Sequence, residues 1–300
     1  MNVTIVRKLR YAISNWRLYL LVAAPLCMVC LFAYFPAISA VYHSFFIWSG
    51  GEDKTFTGFD HYRRALTDTQ FLHSFVTIFL LVVANVFKLI PSILAAVLIH
   101  RVINSRSQYW YRIMVVLPMV VPGIVTLFVW KFFFDPNLGP LNQFLDATGL
   151  KTLLVQVDLL FNWDIFRAGE PIAWLSNESL ILPALMIWGF PWLGSVGVLM
   201  YLAGLQNIDQ SLYEAAEMDG CGSFRKFVSI EFPLILTQVR LTLALLFIGT
   251  LQSYGQQYLL LGENGGAGRA GLTPGLWMFN RAFFNREYGY ACALGMILFF

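Results

Sequence analysis

Uncharged runs long enough to cross a lipid bilayer recur along this sequence, and they restrict the folds open to it more than any other feature. A helix needs about 20 mostly apolar residues to span a hydrocarbon core of roughly 30 Å. Residues 18–42 carry no charge, residues 74–99 carry only Lys88, and residues 111–130 carry only Arg112 near their start. Residues 180–203 and 241–261 are free of charge, and a sixth run opens at Tyr288 and reaches Phe300. At about 1.5 Å per residue that last run gives roughly 20 Å of helix, short of the core, so a longer native chain is expected to complete it. Lipid offers no partner to an open sheet edge, so the expected fold is an all-α integral membrane protein with six transmembrane helices.

Composition agrees. Only 12% of the 300 residues are charged, against roughly 25% in a soluble domain. Aromatic residues reach 16%, which suits a protein whose ends sit in two aromatic-rich interfaces. The net charge of +3 is small and its cations are scattered, which excludes the basic footprint of a nucleic-acid binder.

Lys and Arg near span ends set orientation. Arg7, Lys8, Arg10 and Arg17 precede the first run, and Arg101, Arg106 and Arg112 crowd the link between the second and third. Both segments are expected in the cytoplasm, with the N-terminus inside. A basic start followed by an apolar stretch and the small residues Ala37, Ser39 and Ala40 imitates a secretory signal. The apolar run exceeds the roughly 7–15 residues of a signal core, so an uncleaved anchor is expected. Cys27 and Cys30 form a CxxC inside that run; a thiolate is costly in hydrocarbon, so they read as small apolar filler rather than a zinc or redox pair.

Residues 204–240 form a polar segment between the fourth and fifth runs, on the cytoplasmic side by the same count. Ser211 and Glu214 have capping-box spacing, and Leu212, Ala215 and Ala216 share a face before Gly220 and Gly222 interrupt the helix. Ser223 then caps a second turn whose stripe of Phe224, Phe227 and Val228 is expected to stop before Pro233. The segment reads as an amphipathic elbow at the membrane surface.

The elbow resembles the cytoplasmic signature of the inner-membrane permeases of binding-protein-dependent ABC importers, EAA, three residues, Gly, nine residues, Ile-x-Leu-Pro. Glu214, Ala215, Ala216, Gly220, Ile230 and Pro233 stand at those spacings; Phe232 replaces the usual Leu and Cys221 the frequent Ala. FTGFDHYRRAL is similar to the family's first outer loop. LPMVVPGIVTLFVWKFFFDPNLGPLNQFL resembles the third span of carbohydrate-type importers, and GENGGAGRAG followed by Tyr-Gly-Tyr-Ala at Tyr288 resembles their Gly-Gly loop and sixth span. The Gly-Pro-Leu-Asn at Gly139 to Asn142 resembles the maltose-F and glycerol-phosphate-A type of subunit.

The resemblance implies the type I importer permease fold: a cytoplasmic segment 1–17, a first helix and outer loop over 18–73, and a permease core over 74–300 carrying the coupling loop 204–240. It implies a multi-pass subunit of a bacterial or archaeal cytoplasmic membrane that imports a carbohydrate, a di- or oligosaccharide, with a glycerol-phosphate or polyol as the alternative. The partners implied are a second, non-identical permease, two cytoplasmic ATPases that hold ATP and Mg, and an extracytoplasmic binding protein. No cofactor is expected on this chain. In the coupling role, Ala215 and Ala216 would allow close approach, Gly220 would permit the bend, and Glu214, Glu217 and Asp219 would face basic groups or helix ends of the ATPase.

Lys88 is the one charge near the middle of a run, where ionisable groups are costly and normally face the bundle interior. Thr77, Asn85, Lys88 and Ser92 fall on one helical face, and Gln252, Ser253, Gln256 and Gln257 make the fifth run polar near its end. Both groups are candidates for the substrate path or for interhelical bonds. Trp130, Trp188, Trp192 and Trp277 fit the interfacial belt, with stacking on sugar faces as the alternative. A polytopic enzyme or an assembly protein is the reading from another class, but an enzyme would need convergent ionisable groups in the spans. His43, His61, His73 and His100 show no metal-ligand spacing and no P-loop is present; no metal site and no catalytic residue are predicted.

Overall fold

The computed structural model describes residues 16–300. The basic residues Arg7, Lys8 and Arg10 lie outside them. Contacts group the described residues into two compact units, one running to Asp68 and joined by Met278–Phe300, the other Thr69–Trp277.

The first unit opens with α1 (Trp16–Val29), a wide π turn (Cys30–Tyr34) and α2 (Phe35–His43). Together Tyr19–His43 is long and apolar enough to cross a membrane, and its most apolar stretch buries nothing within the protein. Leu21, Phe32 and Ile38 stand bare, as side chains do when lipid is the solvent. Cys27 and Cys30 are free thiols on this exposed surface. Among the described residues, strand is confined to one antiparallel hairpin, β1 (Phe46–Trp48) and β2 (Lys54–Phe56), with Phe46 opposite Phe56. Helix α3 (Asp60–Thr67) follows.

The second unit begins with α4 (Thr69–Phe87) and α5 (Leu89–His100), joined at Lys88, and the pair passes the length and hydropathy test for a span. After Asn104, whose side chain accepts from the amides of Arg106 and Ser107, come α6 (Ser105–Val116), a 3₁₀ turn (Leu117–Val120) and α7 (Gly123–Phe133). The third run, read as one span, is a pair of helices bent by 90°. Val121 precedes Pro122, whose ring disfavours helical backbone at the residue before it, and Val121 is extended at ψ 125°.

Helices α8 (Pro140–Ala147) and α9 (Leu150–Phe161) then form an excursion in which one buried side chain makes three bonds. Asn142, buried, donates to the carbonyls of Pro136 and Ile172 (2.8 and 2.9 Å) and accepts from Trp174 Nε1 (2.8 Å). This explains the Asn of the Gly-Pro-Leu-Asn segment. A Cβ on Gly139 would strike the Asp135 carbonyl, so only glycine lets the chain close there.

The fourth run is also interrupted. It forms α10 (Glu178–Ile187) and α11 (Ser195–Gln206), separated by a segment in which Gly189 and Trp192 take positive φ. Helix α11 packs on α5, with Val198, Tyr201, Leu202 and Leu205 against Ile93, Ala96 and Val97. Next come α12 (Gln210–Met218), α13 (Ser223–Lys226), a π turn (Phe227–Glu231) and α14 (Phe232–Leu234).

Helix α15 (Leu236–Leu251) starts after a 66° bend, and the fifth run breaks before α16 (Gly255–Leu261). Helix α17 (Pro274–Phe283) spans the division between units, and α18 (Tyr288–Phe299) completes the first. There Arg64, from the FTGFDHYRRAL segment, pairs with Glu287 and lies 4.0 Å over the ring of Tyr290, which itself donates to Asp68. In all, the described residues hold two helices that meet the spanning test and two bent pairs that do so jointly. Three shorter apolar helices, Glu178–Ile187, Ser195–Gln206 and Tyr288–Phe299, accompany them.

Candidate functional site

Two breaks in apolar helices leave backbone groups without intrahelical partners, and in a membrane each must be satisfied by protein or by a water-lined cavity. The gap between α10 and α11 and the gap between α15 and α16 open onto one cavity of about 500 Å³ in the second unit. Asn85, Lys88, Ser92, Ser253, Gln256 and Gln257 line it, so six of the seven proposed path residues meet. Gln252 is exposed and does not line it. Thr77, from the same predicted stripe, instead bonds the Ala270 carbonyl (3.4 Å).

The polar side chains repair the breaks. Lys88 Nζ donates to the carbonyl of Leu185 (3.3 Å) in the last turn of α10. Ser92 donates to the Trp192 carbonyl (3.0 Å) and accepts from the Gly194 amide (2.9 Å) at the start of α11. Trp192 Nε1 donates to the carbonyls of Ile187 and Trp188. On the other side Asn85 bonds Thr250 (3.1 Å), Ser253 Oγ donates to Gln257 (2.9 Å), and Thr273 donates to the Ser253 carbonyl (2.9 Å).

Trp188 and Trp192 line this wall. Trp130 packs against Trp188 at 5.4 Å, and Trp277 is buried. Periodicity missed the breaks because the residues around them are apolar. The signal was Gly189, Pro191 and Gly194 within six residues of an uncharged run, a cluster of turn formers.

The elbow departs from expectation at both caps. Asp209, not Ser211, caps α12 by accepting from the Ser211 amide (2.9 Å), an acceptor bond that holds its carboxyl below the usual range. Gly222 occupies the cap position of α13 without a side-chain bond, and Ser223 is already inside the helix. Asp209 begins α12 too early for Ser211 and Glu214 to act as a capping box.

Gly220 behaves as expected. At φ +71° it ends α12 in a Schellman turn, with Cys221 N bonded to Ala216 O (2.9 Å) and Gly220 N to Glu217 O (3.0 Å). Pro233 does not stop the second helix. It sits just after the π turn within the helical stretch Ser223–Leu234, and the bend falls at Ile235.

Of the signature residues, Ala216 is buried, Ile230 half-buried, and Glu214, Ala215, Asp219, Gly220 and Pro233 exposed. Glu217 is also exposed and pairs with Lys226 (2.8 Å). Met218, Phe224 and Val228 stand bare, whereas Phe227 of the expected Phe224, Phe227 and Val228 stripe is half-buried against the core.

Sequence reasoning missed what fastens the elbow. Glu231, wholly buried, receives Arg101 Nε at 3.0 Å and Nη2 at 2.7 Å, while Nη2 also donates to the Ser223 carbonyl (2.8 Å). Tyr213 bonds His100 Nε2 at 3.2 Å. Burial, then the nearby Glu231 charge, pushes the Tyr213 phenol up to about 12. Both arms of the elbow are therefore tied to one end of α5, whose other end is Lys88 in the cavity.

A cavity at broken apolar helices, with a polar loop tied to the far end of a helix that lines it, fits a membrane transport protein. Residues 88–300 match the family described as binding-protein-dependent transport system inner membrane component, and the chain belongs to that family. It is 32% identical over 288 residues to the diacetylchitobiose uptake system permease protein of Streptomyces coelicolor, covering 91% of this chain and 75% of that one. It is 29% identical to the sn-glycerol-3-phosphate transport system permease protein of Agrobacterium fabrum, covering 93% and 88%. A bacterial ABC transporter involved in import of the acidic polysaccharide alginate has a chain of the same fold, with TM-score 0.76 at 20% identity over 97% of this chain and 92% of that one. The fold is thus that of a type I importer permease, and the protein is an integral inner-membrane transport subunit.

Proposed function

We propose that this chain is one of two non-identical permease subunits of an ATP-driven importer that carries a di- or oligosaccharide delivered by an extracytoplasmic binding protein. The observation that carries the reading is the placement of a cavity with several hydrogen-bonding side chains at one end of α5 and the signature loop at the other. A volume of about 500 Å³ lies within the usual range of ligand sites, and Trp188 and Trp192 offer apolar rings beside the hydrogen-bonding Asn85, Ser92, Ser253, Gln256 and Gln257. That mixture suits the alternating C–H and O–H faces of a sugar. The substrate of the Streptomyces coelicolor relative, diacetylchitobiose, supports the same class.

In this reading six spans cross the membrane with the N-terminus in the cytoplasm, and two ATPase subunits hold the ATP and Mg. Glu214, Ala215, Ala216, Glu217, Asp219, Gly220, Ile230 and Pro233 form the coupling loop. Bare Met218 and Phe224 enter an apolar groove on the ATPase, with Glu214 and Asp219 toward its basic groups. Closure of the ATPase dimer moves the elbow, and the Arg101 and Tyr213 ties pass that motion to α5 as alternating access.

The test is substrate-stimulated ATP hydrolysis by the reconstituted complex. Replacing Glu214 and Gly220 together should abolish stimulation while the binding protein keeps its affinity. Unchanged stimulation removes the coupling role, and failure of any di- or oligosaccharide to stimulate removes the substrate class.

A further inference from the structure

The cavity lining contains one ionisable group. Lys88 is there, and no aspartate, glutamate or histidine accompanies it among the residues that line the space. A cation in a membrane-spanning segment is costly and is normally balanced by a charge or by backbone carbonyls. Lys88 has one carbonyl, that of Leu185, at 3.3 Å, and an ammonium has three N–H donors.

One N–H of Lys88 is enough to complete the Leu185 carbonyl. The neighbouring groups of the break are completed by neutral side chains, Ser92 on Gly194 and Trp192 Nε1 on Ile187 and Trp188. Leu185 lies in the last turn of α10, where the helix dipole holds a cation in place while leaving its other donors available.

Resting on carbohydrate import as proposed above, we infer that the imported sugar carries an anionic group, a carboxylate on an acidic residue, and that Lys88 receives it in the cavity. Asn85, on the same helical face and one turn from the ammonium, donates to Thr250 and offers its side-chain oxygen to an adjoining ring hydroxyl. The rest of the wall, neutral and partly aromatic, takes the remaining sugar. A phosphate ester presents the same charge, so the anion has two possible sources.

The experiment uses the complete importer with its binding protein in proteoliposomes and three labelled probes: a neutral hexose disaccharide, the same disaccharide with one C6 oxidised to a carboxylate, and glycerol 3-phosphate. The oxidised sugar should be taken up, with Lys88→Met raising its KM about tenfold or more, as loss of a charge-assisted hydrogen bond does, and Lys88→Arg retaining most uptake. Import of the neutral sugar that Lys88→Met leaves unchanged overturns the inference and keeps the carbohydrate reading. Import of glycerol 3-phosphate alone overturns both. An equal loss of both sugars in Lys88→Met overturns it in favour of a carboxylate from the second permease.

Should Lys88→Met fail to assemble, the wild type supplies the answer. The oxidised sugar, and not the neutral one, should shield Lys88 from an amine-acylating reagent read by peptide mass spectrometry. Equal labelling under both sugars refutes the assignment.

Discussion

Arg101→Ala would leave Glu231 as a carboxylate with no exposed surface and no cation. Glu231 is 0% exposed, and it loses two short charge-assisted bonds, at 3.0 and 2.7 Å. Removing one partner of a buried pair costs about 3–5 kcal/mol, because the remaining charge is stranded. The reverse change is milder. Glu231→Ala strands a guanidinium whose side chain is 31% exposed and which still reaches the Ser223 carbonyl, so water takes over part of its solvation and about 1–3 kcal/mol is expected.

Arg101→Leu with Glu231→Leu should recover most of the stability, since buried ion pairs are often replaced by apolar side chains without loss. The ties between elbow and α5 would then be weakened without a stranded charge. Reversible unfolding in mixed micelles gives the stabilities, and substrate-stimulated ATP hydrolysis in proteoliposomes reads the coupling. An Arg101→Ala cost below about 1 kcal/mol, the range of an exposed pair, would refute the burial argument. A double-leucine variant with wild-type stimulation would refute transmission through this pair.

Asn142→Leu should destabilise the protein by about 3 kcal/mol, since it strands the Trp174 N–H, the buried Ile172 carbonyl and the half-buried Pro136 carbonyl at about 1–3 kcal/mol each with partial relaxation; a loss under 1 kcal/mol in the same unfolding assay would contradict the hub. Gly220→Ala should cost about 1–2 kcal/mol from left-handed backbone alone, because a Cβ there meets nothing within 4 Å. A neutral outcome would mean that the elbow turns differently in the membrane. Tyr213, with its phenol raised to about 12, contributes stability that is fully present below the unfolded value near 10 and is lost as pH rises toward 12. Tyr213→Phe should flatten that part of the stability profile, and an unchanged slope between pH 10 and 12 would count against it.

The sequence by itself determined the solvent and the family. Long uncharged runs admit only helices in lipid, and that requirement is local enough to read one residue at a time. The Glu214 to Pro233 signature was legible for the same reason, as was the need for glycine at 220, because a left-handed turn is a property of one residue. Asp209 was missed as a cap because Ser211 and Glu214 offered an equally good local pattern, and only backbone geometry decides which residue starts the helix.

The tertiary structure alone decided where the apolar runs break and what the breaks share. Hydropathy registers Pro122, Pro191 and the glycines at 189 and 194 as interruptions too small to matter, whereas backbone sterics turn them into bends and open helix ends. Lys88 was visible as a charge out of place, but its neighbours are residues 185 to 257, brought together by packing. The Arg101–Glu231 pair spans 130 positions, and neither residue is unusual in its own segment. The buried pair exists only because α5 and the elbow meet, and that meeting is a property of the folded chain.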